Sequence, residues 1–196
     1  MRGAPLLVAG AVALFAVSAV SATHAVYDGE RAQFRSFGFM VSLQHSKQHG
    51  CGGTLIAPEI VLTAAHCLRR VDATKLKAVV GTDKPERKKA RRVRITGYRV
   101  PRGFSIRSSN RDDLALLRLA EPQASPVLGL ASAEPEAGGP VATAGWGCTD
   151  RPPRCRRFPT HLRTAEQRVV SDSRCGRSTF WNPPAHARTS ICARGS

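Results

Sequence analysis

A histidine in the segment LTAAHC is the first side chain whose type and setting suggest chemistry. His66 stands directly before a cysteine and behind two alanines and a threonine. An imidazole in such a place serves as a general base, as a metal ligand or as a structural group in the core. A base needs a nucleophile to deprotonate, and a serine hydroxyl also needs a carboxylate that orients the ring. The rest of the sequence must therefore supply an acid and a serine.

The metal-binding alternative depends on the segment HSKQHGC. It offers His45, His49 and Cys51, with His66 and Cys67 further along the chain. The spacings of these residues match no common zinc pattern. The chain has six cysteines, and residues 1–25 predict that it is exported. An even number of cysteines in an exported chain is more typical of disulfide bridges than of thiolate ligands. We therefore expect no metal and no other cofactor.

Residues 1–25 have the composition of a signal peptide. An early positive charge precedes an apolar stretch from about Leu6 to Val20, and small residues follow. Cleavage after either Ala22 or Ala25 would suit this pattern, and an uncleaved membrane anchor is the alternative. We expect a secreted, extracellular protein with no membrane attachment after removal of the signal.

The remaining chain consists of short apolar runs separated by Gly, Pro, Ser and Asp, which predicts many short strands. Strand-length runs include FMVSLQ, GTLIAPEIVLTAA, KLKAVVG, RRVRITGYRV and DLALLRLA. In RVRIT, Arg92 and Arg94 alternate with Val93 and Ile95, as in a strand with one buried face. Residues 121–140 are rich in Pro, Gly, Ala and Ser and predict a connection. The pattern favours an all-β protein made of two small β units.

Three motifs occur in an order that resembles the trypsin/chymotrypsin-like serine proteases. They are CGGTLIAPEIVLTAAHC, RDDLALLRL and ATAGWG, and the resemblance runs from Val26 to Cys192. It implies a protease domain at 26–196, built as two perpendicular β-barrels with the active site between them. We expect a secreted, bacterial-type member of this family, with a trypsin-like double β-barrel whose second barrel is incomplete. The first barrel would take 26–120, the linker 121–140 and the partial second barrel 141–196.

The resemblance also assigns roles to single residues. His66 matches the catalytic histidine, and Asp113, rather than its neighbour Asp112, matches the aspartate that orients the histidine. Val26 matches the mature N-terminus, whose amino group folds inward in relatives. Asp28 departs from the family, which usually has a glycine at that position.

The resemblance extends to the cysteines. It implies disulfides Cys51–Cys67 and Cys175–Cys192, and the two cysteines left over are expected to form a third bridge, Cys148–Cys155.

The nucleophile of the family lies in a GDSGG segment, which does not occur in these 196 residues. Ser196 follows Cys192 too closely to take its place. The oxyanion hole of the family uses backbone N–H groups at the nucleophile, and the specificity pocket lies further on. We expect the chain as given to be inactive by the triad mechanism. Either the true product is longer, or the protein is a poorly folding pseudogene product or a truncated, inactive homologue.

The formal net charge of +16 predicts acidic partners. From Lys84 to Arg111 eleven residues are basic and only Glu86 is acidic. One interpretation is a surface that binds anionic polymers such as polysaccharide, and the other is the solvated face of a strand and its loops. Sequence-specific nucleic-acid binding has no motif here, and a loop so basic disfavours calcium.

Two functions therefore remain open. The first is a secreted endopeptidase domain that acts on a protein or peptide substrate if the full product is longer. The second is an inactive homologue that works as a basic binding module for anionic surfaces or polymers.

Overall fold

The computed structural model describes residues 29–69, 71–104, 112–149, 158–171 and 193–195. Within these residues the regular elements are β-strands and short 3₁₀ turns. The strands, in chain order, are β1 (Glu30–Arg31), β2 (Met40–His45), β3 (Gln48–Ala57), β4 (Ile60–Thr63), β5 (Lys77–Val79), β6 (Val93–Arg99), β7 (Ala115–Leu119), β8 (Pro140–Gly145), β9 (Arg163–Val169) and β10 (Ala193–Gly195). The 3₁₀ turns are Phe34–Phe37, Ala65–Leu68 and Ala73–Lys75.

Six of the strands close into an antiparallel barrel in the order β2-β3-β4-β7-β6-β5. The other four form a second sheet, in which β9 pairs with β1, β8 and β10. The expected fold class, an all-β double barrel with an incomplete second barrel, is confirmed by this arrangement.

The hairpin between β2 and β3 explains the segment that offered histidines for a metal site. His45 and Gln48 are paired across the turn, and the two residues between them, Ser46 and Lys47, have φ angles of 51° and 68°. Positive φ at both central positions matches the twist of the flanking strands and makes a tight two-residue hairpin. The residues from His45 to Gln48 therefore form a tight backbone turn.

The barrel interior follows from the alternation of its strands. In β7, Ala115, Leu117 and Leu119 are buried while the residues between them are exposed. Ten buried apolar residues fill the barrel: Val41, Leu43, Leu55, Val61, Leu76, Ala78, Val93, Ile95, Leu117 and Leu119. Burying each large aliphatic side chain contributes roughly 1.5–3 kcal/mol. This core fixes the register of the strands that carry the site.

The arginines beside Val93 and Ile95 do not share one environment. Arg94 is exposed, as the alternation predicts, but Arg92 is half-buried beneath a loop. The Arg92 side chain donates to Gln44 Oε1 at 2.9 Å and to the Ala90 carbonyl at 2.9 Å. It is therefore a structural group, because it holds the loop before β6 on the barrel.

A second apolar cluster lies where the barrel meets the other sheet. Its buried members are Ala32, Met40, Trp146 and Leu162, and three phenylalanines pack around them. Met40 belongs to β2, whereas Trp146 directly follows β8. The two units are therefore joined by a shared core.

Residues 121–139, between β7 and β8, contain no strand. Two backbone bonds fasten this connection to the barrel, from Gln123 to the Pro58 carbonyl and from Leu128 to the Leu55 carbonyl, each at 2.9 Å. Among the residues described, no helix is long and apolar enough to cross a membrane.

Candidate active site

Strand pairing brings His66 and Asp113 to one end of the barrel. Thr63, the last residue of β4, is paired with Ala115, the first residue of β7. In an antiparallel pair, the chain that leaves one strand and the chain that enters the other lie at the same end. His66 follows Thr63 in a 3₁₀ turn and Asp113 precedes Ala115, so the two residues become neighbours despite 47 positions of separation.

The histidine and the aspartate are joined by two hydrogen bonds. His66 Nδ1 lies 2.7 Å from Asp113 Oδ2. The backbone N–H of His66 donates to Asp113 Oδ1 at 2.8 Å. Each carboxylate oxygen therefore has its own donor, and the carboxyl group is held against the His66 turn at two points.

The environment of Asp113 favours its charged form. Burial works to raise its pKa, but hydrogen bonds from the His66 ring and backbone and from Ala65 outweigh this effect, so the pKa of Asp113 lies below its usual value. An ionised carboxylate only accepts hydrogen bonds. We therefore assign the imidazole proton to Nδ1, which leaves the lone pair of Nε2 available.

The other ring nitrogen faces an open setting. The His66 side chain is 54% exposed, against 24% for Asp113. No residue in the described part of the chain hydrogen-bonds to Nε2. A neutral imidazole held in this way can take a proton from an approaching hydroxyl group.

A disulfide between Cys51 and Cys67 fastens the His66 turn to β3, with a Cα–Cα distance of 6.2 Å. Atoms of Cys51, His66 and Cys67 lie within 4.8 Å of one another, close enough for metal ligation. Both sulfur atoms are used in the disulfide, however, so this cluster offers no thiolate. The bridge instead limits the movement of the histidine.

Asp112 has a different role from its neighbour. Its φ angle is 54°, in the left-handed region that Asp tolerates better than most residues. Its carbonyl accepts from the backbone N–H of Leu114 at 2.7 Å, which closes a tight turn. Asp112 therefore turns the chain so that Asp113 enters the barrel end at the correct angle.

Several residues predicted from the sequence fall outside the described part. These are Val26, Cys155, Cys175, Cys192 and Ser196. Cys148 is described and is disulfide-bonded, but its expected partner, Cys155, is not among the described residues.

The comparison with protein families agrees with these motifs. The family model described as Trypsin matches residues 26–196. The chain belongs to the trypsin family of serine proteases. Among curated trypsins it is 29% identical to Trypsin delta of Drosophila erecta over 87% of this chain and 68% of that protein. It is 30% identical to Trypsin iota of Drosophila melanogaster over 83% of this chain and 64% of that protein.

Two solved structures show the same fold. Mouse neuropsin, a serine protease, superposes with a TM-score of 0.75 over 86% of this chain and 74% of its own, at 22% identity. Human heparin binding protein superposes with a TM-score of 0.65 over 76% of this chain and 67% of its own, at 27% identity.

A cleft of ≈ 420 Å³ lies between the barrel and β8 of this trypsin-family chain. Gly52, Gly53 and Thr63 line one side, and Ala142 and Ala144 of β8 line the other. The Thr63 hydroxyl donates to the Gly52 carbonyl at 2.7 Å, which closes the barrel wall just before the His66 turn. Most of the lining residues are apolar, and one of them, Thr63, lies three positions before His66.

A second histidine–aspartate contact was not predicted from the sequence. His161 Nδ1 lies 2.9 Å from Asp83 Oδ2, and Arg31 donates to the same oxygen at 3.0 Å. The Asp83 carbonyl also accepts from Trp146 Nε1 and from the backbone of Leu162. Nothing in the local sequence marks this set, because its members are far apart in the chain and belong to both β units.

Proposed function

We propose that this chain is the larger part of a secreted serine endopeptidase domain that hydrolyses peptide bonds through a His-Asp-Ser triad. The observation that carries the proposal is the pair of hydrogen bonds, 2.7 Å and 2.8 Å long, that joins His66 to Asp113. His66 is the general base and Asp113 is its orienting acid. The substrate class is protein or peptide, and the reaction needs no cofactor.

In this mechanism Nε2 of His66 takes the proton of the attacking serine and later gives it to the leaving amine. Asp113 holds the imidazole in the correct tautomer and stabilises it once it is protonated. The serine and the oxyanion-hole N–H groups belong to a GDSGG segment, which does not occur in these 196 residues. We expect these residues alone to be catalytically inactive.

Other features of the family are included in the proposal. Val26 would be the mature N-terminus after removal of residues 1–25, which directs the protein out of the cell. Cys148–Cys155 and Cys175–Cys192 would complete a set of three disulfides with Cys51–Cys67. The first barrel would lie within 26–120, although β1 at its start pairs with β9 of the other sheet, and the linker of 121–140 would end where β8 begins at Pro140.

The native secreted protein, treated with a biotinylated fluorophosphonate and analysed by mass spectrometry, tests the proposal. We expect one labelled serine, located in a GDSGG segment beyond Ser196, and a labelling rate that falls sharply in His66→Ala. A native protein with the mass of Val26 to Ser196 and no labelled serine would contradict the proposed catalysis. Intact masses with and without reduction, six daltons apart for three bridges, test the disulfides in the same sample (~2 Da per disulfide).

A second function is supported by charge. We propose as the alternative that the protein is an inactive homologue that binds anionic surfaces or polymers. The net charge of +16 supports it, and so does the similarity to a heparin binding protein at 27% identity. Retention of the purified protein on immobilised heparin, at higher salt than on a plain sulfonate resin, would favour this function. Equal retention on both would show only the general effect of net charge.

A further inference from the structure

The basic residues of the first barrel differ in whether their charge is neutralised. Arg91 lies 2.6 Å from the Glu121 carboxylate, and Arg118 lies 3.5 Å from that of Glu59. Within the described residues, Lys77 and Arg94 have no such acidic partner. Lys77 and Arg94 therefore carry positive charge that no carboxylate among the described residues neutralises.

Lys77 and Arg94 lie directly opposite each other across β5 and β6. Side chains at directly opposed positions of an antiparallel pair project from the same face, with Cβ atoms about 4.5–5.5 Å apart. Like charges so placed destabilise the sheet. The repulsion would be relieved by an anion that contacts both side chains.

The loop at 84–92 extends this surface. β5 lies between β6 and β2, and Gln44 of β2 is paired with Lys77. The Gln44 side chain donates to the Pro85 carbonyl at 2.9 Å. The Gln44 amide oxygen in turn accepts from Arg92. The loop is therefore fixed over the same outer face as Lys77 and Arg94.

The loop carries six basic residues. Three of them, Arg87, Lys88 and Lys89, are exposed, and no ion pair neutralises them within the described part of the chain. Backbone bonds from Arg87 to the Lys84 carbonyl and from Ala90 to the Arg87 carbonyl shape the turn. A loop that is already ordered loses little conformational entropy when a ligand binds.

We infer that these five residues, Lys77, Arg87, Lys88, Lys89 and Arg94, form a binding surface for a sulfated linear polysaccharide. The inference rests on the proposed anion-binding function and assigns its location and ligand. Sulfate groups repeated along a flexible chain can contact the strand pair and the loop together, and the guanidinium groups can bind them bidentately. A single-stranded nucleic acid would also use aromatic platforms. Tyr98 of β6 lies four positions from Arg94, roughly 13 Å along the strand, whereas the exposed Phe158 lines a pocket with Pro85 and Glu86 at the start of the loop. An oligonucleotide competitor therefore separates the two kinds of ligand.

Two double variants of equal charge test the assignment. Lys77→Gln/Arg94→Gln removes two cations of the surface, whereas Arg91→Gln/Arg118→Gln removes two cations that already have acidic partners. We expect the first variant to lower affinity for heparin about tenfold and the second to change it less than about threefold. Binding is measured by titration at fixed ionic strength, because salt screens such contacts.

Arg91→Gln/Arg118→Gln is a strict control, because loss of the two arginines also leaves the carboxylates of Glu121 and Glu59 without these partners, and both carboxylates should repel the polyanion. Both variants should elute equally early from a sulfonate resin. A higher melting temperature of Lys77→Gln/Arg94→Gln without heparin would show that the variant folds and that the repulsion between the pair is gone.

Equal losses in the two double variants would overturn the location while leaving anion binding in place. If the wild-type protein were retained no more strongly on heparin than on a sulfonate resin, both the inference and the proposed binding function would be overturned. A thymidine 20-mer that competes as well as heparin at equal charge would overturn the assignment to polysaccharide.

Discussion

His66 and Asp113 show how much a few contacts decide at the scale of residues. The ring hydrogen bond of 2.7 Å sets the tautomer, and the backbone bond of 2.8 Å sets the angle of the carboxylate. The lowered pKa of Asp113 keeps its charge at neutral pH, since hydrogen bonds from His66 outweigh the effect of burial. Among the described residues, the contacts that orient the ring come from the first barrel, which supports the proposed role of His66 as a general base.

Replacing Asp113 by Asn should change the tautomer of His66. The amide can present an N–H group to Nδ1, so the ring proton would move to Nε2. We expect ¹⁵N NMR of the imidazole to show Nδ1 protonated in wild type and mainly Nε2 protonated in Asp113→Asn. In a product that carries the serine, kcat should fall by about 10⁴-fold.

Asp112→Asn is the matched control, because Asn also tolerates a positive φ angle and Asp112 makes no hydrogen bond to His66. It should leave both the tautomer and kcat nearly unchanged. If the two variants behaved alike, Asp113 would not be the orienting residue.

At the scale of elements, the position of the site depends on how closely β3 approaches β4. A Cβ atom on Gly53 would lie 2.7 Å from Val61 Cγ1 and 3.1 Å from the Leu62 carbonyl. On Gly52, the next residue, a Cβ atom would meet nothing within 4 Å. Packing therefore requires a glycine at position 53 but not at position 52.

Gly53→Ala should destabilise the protein by about 1–3 kcal/mol, because the added methyl group pushes β4 away from β3. Gly52→Ala should stay within about 0.5 kcal/mol of wild type. Urea unfolding followed by tryptophan fluorescence measures both values. A similar loss in the two variants would mean that the closeness of β3 and β4 does not constrain this position.

At the scale of the whole molecule, Asp83 connects the two β units. It belongs to the loop after β5, yet its carboxylate contacts Arg31 of β1 and His161, which precedes β9. Burial works to raise the pKa of Asp83, but its hydrogen bonds with His161 and Arg31 outweigh this and hold the pKa below its usual value. Folding is thereby linked to ionisation of this side chain.

Because the folded-state pKa of Asp83 is lower than the unfolded value of 3.8, its stabilising effect is complete above that pH and is lost as the pH falls through the folded pKa. We expect Asp83→Asn to cost about 1–2 kcal/mol at pH 7, and its difference from wild type to shrink below about pH 4. Urea unfolding from pH 3 to 7 measures this trend.

Glu134→Gln changes the net charge equally at an exposed acid that has no ion pair in the described part of the chain. It should have little effect at any of these pH values. A difference between Asp83→Asn and wild type that stayed constant with pH would show that ionisation of Asp83 is not linked to folding.

Much of the first barrel could be predicted from local patterns. The alternation in RVRIT correctly placed Val93 and Ile95 inside and Arg94 outside, since a strand exposes every second residue. The same pattern placed Arg92 at the surface, where a loop in fact covers it. Alternation gives the face of a sheet, but it does not tell whether another segment packs on that face.

The family, the all-β class and the choice of His66 and Asp113 as candidates could be predicted before the structure, because they depend on motifs and on short-range periodicity. The tertiary structure alone decided which arginines are neutralised, why Gly53 must be a glycine and how Asp83 joins the two units. These are contacts between residues separated by many positions, such as the 78 between Asp83 and His161. They depend on strand register and on how loops fold back over the sheets, which no local pattern of residue types specifies.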